Sequence, residues 1–283
     1  MFQYAFAKSL SIETNQVLKF SIDDINSDQQ RNFELLEVFG IHCDLASHKE
    51  QLIASKYLTF FNFTKKLSYV ISKYVDINFF LITDNNKKLP DIIQIVRKKK
   101  QSYLLGYWQD FSFFDFNRDS ILQWFTVRLN LNSYYSKILF QIEQTNSVSI
   151  HVRRGDYVTN RKALKYHGLI DIDYYKKSVN FMFTRFTDVH FFIFSDDVSF
   201  VTNEFIFLNG NVTIVDNRKS NHNASDLMLM SKCKHNIIAN SSFSWWGAWL
   251  NNNQGKIVVA PKNWFINQDH NHNRLIPNTW ITI

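Results

Sequence analysis

Hydrophobic positions in the second half of the chain fall into a rhythm of short β-rich runs separated by longer helical ones. Residues 148–152 alternate apolar and polar side chains (Val148, Ile150, Val152) and predict a strand. A helix is expected over 173–186, strands over 189–194 and 212–215, a helix over 226–233, a strand over 236–239, a helix over 243–250 and a strand over 256–260. That alternation predicts a parallel, doubly wound α/β sheet. The first half is less regular, with helices expected over 2–10, 33–39, 58–75 and 120–129 and strands over 17–21, 79–83 and 102–108. A boundary near 140–147 divides the chain into 1–145 and 146–283, and no Pro/Gly linker marks it. Two α/β lobes with an extensive interface and a ligand cleft between them are the architecture this implies.

The predicted strands end on polar clusters: Arg153-Arg154, Ser195-Asp196-Asp197 and Asn240-Ser241-Ser242. Ligands of open α/β sheets bind at that carboxyl edge. The first cluster belongs to the run His151-Val152-Arg153-Arg154-Gly155-Asp156-Tyr157. Its two guanidiniums present planar forks of donors that match phosphate oxygens, Gly155 lets backbone approach closely, and Asp156 is an acid able to orient them. The heptapeptide alone fits a surface turn equally well. Ser241 and Ser242 open a predicted helix, where unpaired amides and the helix dipole favour an anion, although a simple N-cap explains serines there too. Taken together with Arg153 at a neighbouring strand end, the anion site is the better reading.

Composition narrows the partners. The chain has 283 residues, an apolar share of 45% and a formal charge of +7, which favours polyanions, anionic membrane surfaces or negatively charged small substrates. Lys56 to Lys73 is the nearest thing to a basic stripe with interleaved aromatics, but helical spacing of Leu58, Phe61, Lys65 and Tyr69 explains it as a core-facing helix with a solvated lysine face. No nucleic-acid partner is expected. Two cysteines, Cys43 and Cys233, are too few for a disulfide scaffold or zinc site and point to a reduced, cytoplasmic protein. No basic leader and no apolar run of spanning length are visible, so any membrane contact is expected to be peripheral, on the inner face.

The remaining clusters have plainer explanations beside functional ones. Trp245, Trp246 and Trp249 are expected to form a packed floor, on which a sugar could alternatively stack. Asp196 and Asp197 fit one helix cap plus one ligand contact better than a metal pair. Asp226 opens a helix, or accepts hydrogen bonds from the paired N–H donors of a guanine. His270 and His272 have zinc-like spacing but no third ligand nearby, and a polar loop suits them better. His167 is a loop histidine or an acid–base group.

The ordered blocks HVRRGDY (151–157), FSDD (194–197) and DLMLMSKCKHNIIANSSFSWWGAWL (226–250), with MFQYAFAKSL (1–10) and GYWQ (106–109), resemble the bacterial α-1,2-fucosyltransferases of glycosyltransferase family 11 over essentially the whole chain. The resemblance implies a GT-B-like fold of two Rossmann-like lobes. It also implies transfer of L-fucose from GDP-β-L-fucose to the 2-hydroxyl of a terminal galactose, on an oligosaccharide or lipid-linked glycan, without a metal. By the same resemblance Arg153 grips the donor diphosphate and is the catalytic cation, with His151, Arg154 and Asp156 beside it. Ser241, Ser242 and the Phe243 amide form a second phosphate-binding turn, Asp226 lies near guanine and Asp196 contacts the nucleoside. His167 and Asp156 are the candidates for the general base. Relatives usually carry a strand and a Gly-Gly-Leu-Gly-Asn-Gln turn before MFQYA, whereas this chain opens on MFQYA, so the first strand of the first lobe is expected to be missing. The alternative that follows is a truncated, non-catalytic homologue that binds GDP or glycan.

Overall fold

The structure is a computed structural model that describes residues 1–22, 32–54, 79–84, 87–155, 158, 160–266 and 274–283. The expected helix over 58–75, the Lys56–Lys73 stretch, Asp156 and the His270/His272 pair lie outside the described residues. The chain divides into two compact units, Met1–Thr126 and Val127–Ile283. Among the described residues no helix is long and apolar enough to cross a membrane.

In the first unit α1 (Phe2–Thr14) and α2 (Leu35–Phe39) precede a parallel pair, β1 (Phe79–Thr83) and β2 (Gln101–Leu105), joined through α3 (Leu89–Lys98). Helix α4 (Arg118–Trp124) closes the unit. The expected strand over 17–21 is absent. Among the described residues only Phe20 pairs, in an isolated bridge to Leu45, and Val17 stands 84% exposed. Helix α3 was not anticipated, although Pro90 in its first turn, buried Ile92 and Val96 on one face, and Arg97-Lys98 at its end are ordinary helix signals. The core here is aromatic: Phe6 packs against Trp108 and Phe113, and Tyr4 against Trp124 and Phe125.

The second unit contains α5 (Ser133–Gln144), β3 (Ser147–Val152), α6 (Arg161–His167), α7 (Ile172–Phe183), β4 (His190–Ser195), α8 (Val198–Glu204), β5 (Val212–Val215), α9 (Ala224–Lys232), β6 (His235–Ile237), α10 (Ser242–Leu250), β7 (Val258–Ala260) and β8 (Ile281–Thr282). The sheet is parallel throughout, in the order β5-β4-β3-β6-β7-β8. From β3 the chain winds outward through β4 and β5, then crosses to β6 on the other side. This is the doubly wound, Rossmann-type order, and its switch point lies between β3 and β6.

Period-two alternation builds both layers. Phe191 and Ile193 of β4 face Tyr175, Val179 and Met182 of α7, whereas Phe192 and Phe194 face Tyr135, Ile138 and Ile142 of α5 with Leu229 and Met230 of α9. Helix α5 therefore belongs to the second unit, and the division falls before it rather than at the expected 140–147. The reason is local: its apolar residues at i, i+3 and i+7 cover β4. Helices α9 and α10 meet so closely that a Cβ on Gly247 would stand 3.0 Å from Met230 Cβ.

Lys256 holds the far end of α10. Its Nζ donates to the carbonyls of Ala248 (2.7 Å) and Asn251 (2.6 Å), placing a cation on the negative end of the helix. Lys256→Met is expected to lower stability by about 2 kcal/mol, seen as a lower denaturant midpoint at unchanged m-value. An unchanged midpoint would remove this contact from the account.

Candidate functional site

Strand β3 ends at Val152, whose carbonyl accepts a hydrogen bond from Ser195 Oγ at the end of β4 (2.9 Å). Parallel register sets Val152 beside Ser195, so the residues that follow each strand emerge side by side. Asp196 then faces the two arginines. Its Oδ2 stands 2.6 Å from Arg153 Nη1, and its Oδ1 accepts from the Arg154 amide (2.8 Å). Of the Arg153 side chain 33% stays open to solvent, enough for an incoming anion to reach it. A carboxylate behind a guanidinium fixes its plane and balances the charge of a half-buried cation.

Arg154 points elsewhere. Its Nε pairs with Asp197 Oδ2 (3.1 Å), and its guanidinium carbon lies 3.7 Å above the Phe200 ring. Asp197 also caps α8 by accepting from the Phe200 amide (2.9 Å). The FSDD acids thus divide as one cap and one contact, but the contact of Asp196 is to Arg153 and Arg154. The partner that orients Arg153 was not foreseen at position 196. A side chain at Gly155 would force this pairing to shift, since a Cβ there would fall 2.6 Å from Asp196 Oδ2.

Across the switch point, α10 begins immediately after β6. Ser241 occupies its N-cap position without a side-chain cap hydrogen bond, and the first helical bond runs from the Trp245 amide to the Ser241 carbonyl (3.0 Å). The capping explanation of this serine is therefore not what its side chain does. The amides of the first turn have no helical partners by construction, and the dipole places partial positive charge there. Ser241 is buried, Ser242 exposed and Phe243 half-buried. The Phe243 ring lies 5.7 Å from the ring of His151, which ties the two strand ends together.

His151 sits on the α9/α10 side of β3 and is buried; its Nδ1 has no hydrogen-bond partner among the described residues. Burial, reinforced by the charge of Arg153, pushes its pKa down to about 4, so the imidazole is neutral at pH 7. Asp226 lies in the first turn of α9, also buried, and its Oδ1 accepts a 2.6 Å hydrogen bond from Tyr135 of α5. Burial raises its pKa to about 6, the tyrosine bond acting in the opposite direction. Tyr135 was missed, because only the packing of α5 on this unit brings it there.

The structure also places the tryptophan cluster, as expected, and His167. Trp245, Trp246 and Trp249 are each at most 3% exposed, with Trp245 Nε1 donating to the Leu275 carbonyl, so they form the floor and offer no face for a sugar to stack on. His167 packs its ring against Tyr166 and Phe265, and its carbonyl accepts from Asn240 Nδ2 (2.8 Å). Buried Asn240 also bonds the Trp264 carbonyl, tying the end of α6 and the segment after β7 to the end of β6. Among the described residues no three His, Cys, Asp or Glu side chains converge to hold a metal ion.

A model described as "Glycosyl transferase family 11" matches residues 1–283. The chain belongs to glycosyl transferase family 11. It is 35% identical over 301 aligned positions to the Escherichia coli "O-antigen biosynthesis glycosyltransferase WbnK", spanning 100% of this chain and 96% of that protein. It is 33% identical to an Escherichia coli "Alpha-1,2-colitosyltransferase", covering 100% and 94% of the two chains. The mouse "Galactoside 2-alpha-L-fucosyltransferase Sec1" is 27% identical over 51% of this chain and 41% of its own length. The protein is a glycosyltransferase.

Proposed function

We propose that this family 11 glycosyltransferase moves L-fucose from GDP-β-L-fucose to the 2-hydroxyl of a terminal galactose, inverting the anomeric centre to α, in the synthesis of a surface glycan. The observation that carries the reading is Arg153, oriented by Asp196 at the switch point with the amino end of α10 across from it. A GT-B arrangement, with the donor on the second unit, is part of the same proposal. Leaving of the sugar adds negative charge to the diphosphate, and Arg153 with the first-turn amides of α10 supplies fixed positive charge where that develops. Neutral His151 provides polarity without competing for the anion. Elsewhere a metal ion does this work, and the proposal needs none. No side chain is singled out as general base; a loose, oxocarbenium-like transition state demands little proton acceptance before bond formation.

The same proposal has Asp226 read the guanine edge as an acceptor, which requires its ionised form. With its pKa raised to about 6, protonation removes that acceptor as pH falls through 6, so donor KM should climb below pH 6 and level off above 7. Asp226→Asn should raise donor KM roughly tenfold to a hundredfold with a smaller change in kcat. A pH-independent donor KM in the wild type would refute the guanine contact.

A second reading concerns the sugar alone. The 33% identity to a colitosyltransferase over the whole chain supports a GDP-activated colitose as the donor, a sugar that differs from fucose by one missing hydroxyl. Comparing kcat/KM for the two donors on one acceptor decides between them.

A further inference from the structure

We propose that Tyr107 is the platform on which the acceptor galactoside rests, an inference that builds on the transfer reaction above. Strands β1 and β2 run parallel and in register, so Asp84 and Gly106 leave the carboxyl edge of this pair side by side. Tyr107 follows, 65% exposed, while the next residue, Trp108, is 2% exposed and packs on Phe6 (4.4 Å) and Phe113 (5.6 Å).

Two hydrogen bonds hold the backbone that presents Tyr107. Its amide donates to Asp84 Oδ2 (2.9 Å), and the Gly106 carbonyl accepts from Gln3 Nε2 (2.9 Å). Gly106 adopts φ +150° against Asp84, where a Cβ would lie 2.4 Å from Cγ. Trp108 adopts φ +56°, a left-handed conformation that a bulky residue enters at a cost of about 1 kcal/mol or more. Burying Trp108 offsets that strain, and the geometry it enforces turns the neighbouring tyrosine outward. A large aromatic side chain left in water on a clamped backbone at the carboxyl edge of a parallel pair is ready to bind at little ordering cost.

Its surroundings define the ligand. The ring offers a flat apolar face, and exposed Asp84, bonded to the Tyr107 amide, and exposed Gln109, two residues on, offer hydrogen-bonding groups. An anion is disfavoured next to Asp84. A neutral pyranose with C–H groups on one face and hydroxyls around its rim matches all three, and galactose has such a face at C3, C4 and C5. The terminal galactose of the acceptor is therefore the assigned occupant.

Lactose binding to the full-length protein, followed by saturation-transfer NMR, tests this separately from catalysis. The wild type should transfer saturation to galactose H3, H4 and H5. Tyr107→Ala should abolish that transfer and raise acceptor KM roughly tenfold, leaving donor KM and thermal midpoint unchanged, while Tyr107→Phe stays near wild type. The assignment is overturned if the galactose protons are untouched in the wild type, or if Tyr107→Ala binds lactose normally. Normal lactose contact without any fucosyl transfer would instead count against the proposed reaction and leave this site standing.

Discussion

Arg153→Ala should reduce transfer roughly a hundredfold to a thousandfold, with the fold intact. Removing a donor aimed at charge that develops in a transition state raises the barrier by about 3 to 4 kcal/mol. The structure adds why folding should survive. Arg153 lies beyond the last residue of β3, a third of its side chain is open to solvent, and the core below it is made by Val148, Ile150 and Val152. Its removal leaves Asp196 with the Arg154 amide as a remaining partner, so no carboxylate is stranded. Steady-state kinetics should show the loss in kcat/KM, and circular dichroism should match the wild type. Near-normal turnover would end the assignment of Arg153 as the catalytic cation.

Gly155→Ala should be almost as damaging, although it changes no polar group. The added methyl would meet Asp196 Oδ2 at 2.6 Å and Cγ at 3.0 Å. Asp196 can move away only by giving up Arg153, Arg154 or both, since one oxygen serves each. Displacing a catalytic group by about 1 Å can cost roughly a hundredfold in rate, and a loss of that order is expected here. Stability should fall much less than activity, because Asp197 and Phe200 still hold Arg154 in place. Parallel loss of both, in a thermal melt and a transfer assay, would mean that Gly155 serves only the fold.

The parallel sheet was legible because 189–194, 212–215 and 236–239 are short apolar runs separated by helical ones, and buried parallel strands look like that. Arg153, Ser241 and Ser242 were legible as strand-end residues for the same reason. What sequence could not supply was the pairing across strands. Asp156 follows the arginines directly, yet the acid that holds Arg153 is Asp196, brought in from β4 by the register of Val152 with Ser195. Tyr135 escaped notice because the sequence reading places no helix over 133–144; only the packing of α5 on Phe192 and Phe194 carries the tyrosine to Asp226. Ser241 is of a residue type suited to capping, yet its side chain makes no cap, in keeping with the reading that set capping second. Over 17–21, where a strand is expected, only Phe20 pairs among the described residues, in a single bridge to Leu45.

The most direct test is product analysis after incubating the protein with GDP-β-L-fucose and lactose, with and without EDTA. The account predicts GDP release that depends on lactose, a trisaccharide carrying fucose in α linkage on the galactose 2-hydroxyl, and equal yield in EDTA. Donor binding with no lactose-dependent GDP release, or a product linked at another hydroxyl, would contradict it.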